Sequence, residues 1–124
     1  MNNSNLTFGE FIRQMRINKG DSLRKVAQIM EYSPTYWSDI ENGRRNPPNI
    51  EKLQQICDYF ALDTTNKDRL FDLAGDFEQI PPPDLTDYLQ DPSVRRALRV
   101  AKNHNITADA WVKFEQSILE GKSK

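Results

Sequence analysis

The side chains best suited to recognising another molecule gather in one short stretch, SPTYWSDIENGRRNPP, residues 33–48. Ser33 carries the side-chain oxygen of a helix N-cap, and Pro34 has the fixed φ of a first helical position, so a helix starts here. Trp37 and Ile40, three apart, give it an inward side within a polar run. Gly43 can take the left-handed conformation that ends it, and Arg44 and Arg45 follow in a loop closed by Pro47 and Pro48. A helix built only to fill a core carries a broader apolar stripe, whereas one that presents a face to a partner needs only enough buried anchors to hold it. The chemistry on offer is non-covalent: hydroxyls, a carboxylate, guanidinium groups, and the unpaired amide protons of a helix start.

Catalysis and metal binding find no comparable carrier. His104 is the single histidine and stands among Lys102, Asn103 and Asn105 at an expected helix end, where capping or solvent exposure accounts for it. The acidic residues from Asp63 to Asp91 form neither a calcium loop nor a carboxylate-rich metal motif, and no glycine-rich phosphate cradle occurs. Cys57, the one cysteine, has no partner for a disulfide or a cluster; it reads as a buried thiol in a reducing compartment. The expectation is a non-enzymatic chain with no metal and no cofactor.

The recognition stretch must be held by neighbouring elements, and the apolar spacing predicts helices throughout. Phe8, Phe11, Ile12 and Met15 make one stripe, with Arg13 and Arg16 off it, and Gly20 ends that helix. Ser22 caps the next, which carries Leu23, Val26, Ala27 and Met30; the small Ala27 permits close backbone approach before the turn Glu31-Tyr32. After the stretch, Asn49 caps a fourth helix bearing Ile50, Leu53, Ile56, Cys57 and Phe60. Asn66 or Asp68 starts a short fifth one through Leu70, Phe71 and Leu73, stopped at Gly75. Ile80-Pro81-Pro82-Pro83 reads as a stiff extended linker. Beyond it, Leu85, Tyr88 and Leu89 predict a short helix. Asp91 and Pro92 open another with Val94, Ala97, Leu98 and Ala101, and Thr107 caps a last one with Trp111, Phe114 and Ile118 on one side.

At 124 residues the chain can hold one core with an appended subdomain. Its composition, with 28% charged and 37% hydrophobic residues, is that of a soluble protein. There is no run of about 20 apolar residues to span a bilayer, and the start MNNSN lacks the basic and apolar regions of a secretory signal, so a cytoplasmic protein with no membrane partner is expected. The net charge of −1 hides an uneven distribution. Residues 1–60 hold eight Lys or Arg against seven Asp or Glu, residues 61–92 two against eight, and residues 93–124 seven against three. Local fields steer an anionic partner, so the middle segment should avoid a phosphate backbone.

Two helices joined by a three- to four-residue turn, the second capped and polar outward, form a helix-turn-helix pattern, which also occurs as plain packing. The major groove of DNA, about 12 Å wide, admits such a second helix. Here the run SLRKVAQIMEYSPTYWSDIENGRRNPP resembles the lambda repressor/Cro-like, or XRE, family of helix-turn-helix DNA-binding proteins, and the resemblance extends over roughly Phe8 to Phe60. Val26 and Ala27 match its paired hydrophobic and alanine positions, Ser33 its recognition-helix cap, Trp37 and Ile40 its core positions, and Glu41-Asn42-Gly43 its closing ENG. The resemblance implies that Arg16 pairs with Glu41 and ties the first helix to the third. It places the base-reading positions on Pro34, Thr35, Ser38 and Asp39. Pro34, where the family often has glutamine, offers only apolar contact; Asp39 is repelled by phosphates but can accept from a cytosine amino group. Tyr36 and Ser38 can donate hydroxyls to the DNA backbone or a base edge. Arg24, Lys25, Arg44 and Arg45 are either a solvated surface or phosphate contacts, which position a protein without specifying sequence.

The expected architecture is therefore all-α: a five-helix repressor-like helix-turn-helix domain over residues 1–75, an acidic and proline-rich linker over 76–83, and a small helical extension over 84–124. The expected function is sequence-specific regulation of transcription, as a repressor binding an operator in double-stranded DNA as a homodimer. The alternative is an antitoxin-type or signalling adaptor whose C-terminal helices bind a regulatory protein partner, since about forty residues with one tryptophan make a marginal core on their own.

Overall fold

Caps and apolar spacing set the helices. Thr7 opens α1, Phe8–Lys19, with a reciprocal capping box: its hydroxyl accepts from the Glu10 amide while the Glu10 carboxylate accepts from the Thr7 amide. Ser22, Ser33 and Asn49 cap α2 (Leu23–Ile29), α3 (Pro34–Glu41) and α4 (Ile50–Tyr59), each side chain accepting from the amide three residues on. In this computed structural model, which describes residues 5–121, α5 (Thr64–Glu78), a 3-10 turn at Tyr88–Gln90, α6 (Pro92–Asn103) and α7 (Ala108–Leu119) complete an all-α chain with no strand among the described residues. The start of MNNSN, residues 1–4, lies outside them. None of the described helices is long and apolar enough to cross a membrane.

The chain divides into two compact units between Thr86 and Asp87. In the first, α2 packs on α3, α1 on α3 and α5, and α4 on α5. Phe11, Ile12, Val26, Ala27, Met30, Trp37, Ile40, Leu53, Ile56 and Leu70 close the core between them, with Cys57 buried among them. Burial pushes the Cys57 thiol pKa up, as expected of a thiol held in apolar surroundings. Gly9 is the close-contact residue of α1: a Cβ there would lie 2.6 Å from the Ile40 carbonyl oxygen and closer still to that of Glu41, at the end of α3.

The fifth helix departs from expectation at both ends. It starts earlier, because Asp63 rather than Asn66 or Asp68 supplies the cap, accepting from the Asn66 amide at 2.9 Å. It runs through Gly75 to Glu78 and ends on Gln79, which takes the left-handed conformation at φ 57°. Gly75 is a contact residue, not a stop: a Cβ there would lie 2.7 Å from the Ile80 carbonyl oxygen and 2.9 Å from the Pro82 nitrogen. The proline segment thus folds back against the end of α5, and the Ile80 amide donates to the Gly75 carbonyl at 3.0 Å.

In the second unit, Asp91 caps α6 by accepting from the Ser93 amide, with Pro92 at the first helical position. Thr107 precedes α7 with cap-like backbone angles, but its side chain makes no capping bond. No described residue here is fully buried; Trp111 and Phe114 stand edge to face at 6.2 Å, 42% and 55% exposed. These aromatics therefore do not form the closed core of an isolated extension.

Candidate nucleic-acid interface

The turn between α2 and α3 uses a residue not suited to it by type. Glu31 adopts φ 64°, and the Tyr32 amide donates back to the Ala27 carbonyl at 2.9 Å while the Glu31 amide donates to Gln28. This closes α2 tightly and lets Ser33 start α3 two residues later. The same device ends α3: Gly43, at φ 76°, donates to Ile40, and Arg44 donates to the Asp39 carbonyl at 2.8 Å. The loop carrying Arg44 and Arg45 is thereby fixed to the last turn of α3.

Glu41 holds α3 in place from within. Its carboxylate is 1% exposed and accepts from Arg16 Nε at 2.7 Å, Arg16 Nη2 at 3.0 Å, Arg13 Nε at 3.4 Å and Trp37 Nε1 at 2.6 Å. The bond to Glu41 holds the Arg16 guanidinium pKa above its ordinary value. Stripping a buried charge of its partner costs about 3–5 kcal/mol, so this four-fold satisfaction is what makes burial of the carboxylate tolerable. Arg13 also donates to Asn42, the residue that caps the C-terminal end of α3. The roles of Arg13 and of the Trp37 indole were absent from the sequence reading. Arg13 lies three residues before Arg16 on the same helix, which was the available signal.

With Trp37, Ile40 and Glu41 buried, the other side of α3 faces outward. Thr35 is exposed; Pro34, Tyr36, Ser38 and Asp39 are half-buried. Ser38 accepts from the Asn42 side chain at 3.3 Å. Asp39 lies between two arginines, with Oδ1 3.8 Å from Arg44 Nη1 and Oδ2 3.8 Å from Arg45 Nε. The Arg45 guanidinium lies 4.2 Å over the Tyr36 ring, Tyr36 stacks on Tyr32 at 4.6 Å, and Lys52 Nζ stands 5.1 Å over Tyr32. Lys52 is a further cation that sequence reasoning missed; its ammonium also donates to the Met30 carbonyl at 2.6 Å. On α2, Arg24 and Lys25 are exposed, and Lys25 pairs with Asp21 at 3.2 Å.

The arrangement offers a capped helix with small polar and apolar side chains outward, flanked by cations on the following loop and on α2. Among the described residues no group of three His, Cys, Asp or Glu is placed to hold a metal.

Comparison with known proteins agrees with this geometry. The family described as "Helix-turn-helix domain" matches residues 7–70. The chain is 42% identical over 82 residues to Control protein C.BamHI of Bacillus amyloliquefaciens, covering 63% of this chain and 95% of that protein. It is 29% identical over 86 residues to the HTH-type transcriptional regulator DdrOP3 of Deinococcus deserti, covering 68% of this chain and 66% of that protein. To the HTH-type transcriptional regulator RamB of Mycobacterium tuberculosis it is 37% identical over 57 residues, 46% of this chain but 12% of the relative. No solved structure matches at a significant level. The chain belongs to the helix-turn-helix domain family, and two of these relatives are HTH-type transcriptional regulators.

Proposed function

We propose that the chain is a sequence-specific, cytoplasmic transcriptional regulator of the lambda repressor/Cro-like kind, a repressor that binds an operator in double-stranded DNA as a homodimer. The observation that carries the reading is the fixed outward face of α3: Glu41, Trp37 and Ile40 lock the helix to the core while Thr35 and its half-buried neighbours stay accessible beside Arg44 and Arg45. In this reading Pro34, Thr35, Ser38 and Asp39 meet base edges, and Arg24, Lys25, Tyr36, Arg44 and Arg45 meet phosphates. The helical head reads DNA, and the second unit joins two heads. Helix-turn-helix dimers bind half-sites about one helical turn apart, so the operator should be a near-palindrome.

Selection from a randomised duplex library tests this directly. One enriched, two-fold-related motif is expected, and Thr35→Ala should cost about 1–3 kcal/mol against the preferred base at one position of each half-site. A library returned without enrichment would remove sequence-specific binding from the account.

A second reading, in which the extension binds another protein, is favoured by the apolar hollow of about 300 Å³ that Val94, Leu98, Trp111 and Phe114 help to line. Purification from the native host distinguishes the two: a stoichiometric second protein supports the adaptor, and a homo-oligomer carrying operator DNA supports the repressor.

A further inference from the structure

We propose that Asp39 sets the discrimination between a preferred duplex and any other, by competing with phosphates for Arg44 and Arg45 until a base-edge donor replaces them. The inference rests on the DNA-binding reading above. The Asp39 carboxylate turns one oxygen to each arginine, at 3.8 Å in both cases, and is the more sheltered partner: its side chain is 26% exposed, against 69% for Arg44 and 49% for Arg45. Both pairs sit at the long end of ion-pair distance, so they are exchangeable restraints rather than fixed bonds. Arg45 is restrained twice, by Asp39 and by the face of Tyr36.

A phosphate that recruits Arg44 and Arg45 takes both from Asp39. The carboxylate then remains on the DNA-facing side of α3 with its cations withdrawn, next to a polyanion. On an arbitrary sequence nothing compensates it. Where a cytosine presents its N4 amino group beneath α3, the carboxylate gains a donor in exchange, an established pairing of aspartate with a base edge. Asp39 therefore weakens every complex, and only a duplex with that amino group in register restores the loss. Because non-specific binding consists almost wholly of phosphate contacts, the penalty falls on it in full. The negative charge that looks misplaced on a DNA-reading helix acts as the discriminating element.

The test is a titration of the full chain and Asp39→Asn, each with and without Arg44→Ala/Arg45→Ala, against a mixed-sequence duplex and the duplex recovered by selection. Helix content of each variant is checked first. Exposed ion pairs are worth about 0.2–1 kcal/mol each, or roughly 1.5- to 5-fold, so two pairs set the scale. Asp39→Asn should bind the mixed duplex roughly 3- to 10-fold more tightly at low salt, gain nothing on the selected duplex, and so lose discrimination. The gain should shrink in the arginine-free background, where no cation is left to release and only the repulsion of the bare carboxylate remains. Unchanged affinity for the mixed duplex would overturn the proposal. So would a gain that persists undiminished without the arginines, since that would be the general field of one fewer negative charge. If the unaltered chain bound neither duplex, the DNA-binding reading itself would fail, which is separable from either result.

Discussion

At the scale of single residues, the polar groups that fix the helix-turn-helix pair are those whose partners lie far away in sequence. Asp21, between α1 and α2 and only 8% exposed, accepts from the Tyr59 hydroxyl of α4 and pairs with Lys25. The Tyr59 bond, more than the Lys25 cation, holds the Asp21 pKa below the usual carboxylate value, and the same bond raises that of Tyr59. A depressed carboxylate contributes stability that is full above its unfolded value, about 3.9, and is lost as pH falls through the lower folded value. A raised phenol contributes stability that is full below about pH 10 and is lost as pH climbs through the folded value. Tyr59→Phe should therefore lower the urea midpoint across neutral pH and flatten the stability profile at both its acid and alkaline ends. Profiles of unchanged shape would show that the bond contributes nothing to folding.

At the scale of elements, Gly75 sets two opposing effects against each other. Alanine is favoured over glycine inside a helix by about 1 kcal/mol, yet its Cβ would meet the Ile80 and Pro82 backbone at under 3 Å. The loop is the softer side, so Gly75→Ala should preserve α5 and release residues 79–86 from it. Limited proteolysis within that segment should quicken while helical content holds; unchanged cleavage would mean that the proline segment accommodates the methyl group. This contact also marks the limit of what the sequence made legible. Ser22, Ser33, Asn49 and Asp91 announced their helices because a cap acts on an amide two or three residues away. Asp63 and the Thr7-Glu10 box carry the same local signal. The reach of Gly9 to Glu41, and the union of Arg13, Arg16 and Trp37 on one carboxylate, depend on how α1 crosses α3. No local spacing encodes that crossing. Glu31 is a different case: nothing in its type foretells the left-handed conformation it takes directly after the buried Met30. For the interface, the polarity of α3 was legible, whereas the Asp39 pairing depends on where the Gly43 turn returns the chain.

At the scale of the whole molecule, the two units differ in how far they bury themselves. The first closes a core around Trp37 and Leu53, whereas the second has no fully buried residue among those described. Truncation after Thr86 should therefore leave the unfolding midpoint of the head nearly unchanged and, on the proposed homodimer, remove self-association. Sedimentation would report a monomer. Affinity for a single half-site should persist, and affinity for a two-half-site operator should fall by roughly 10²- to 10⁴-fold, because linkage supplies an effective concentration that separate heads lack. Charge would give the proposed assembly its own signature. Residues 93–124 carry seven cations against three anions, so joining two extensions through their apolar sides brings like charges together. Added salt screens that repulsion and should tighten the dimer, even as it weakens DNA binding by restoring counterions to the phosphates. Opposite salt dependences for the full chain would locate assembly in the basic extension. A truncated chain that stayed dimeric and held the full operator as tightly would instead assign assembly to the head, leaving the exposed face of Trp111 and Phe114 to a different protein.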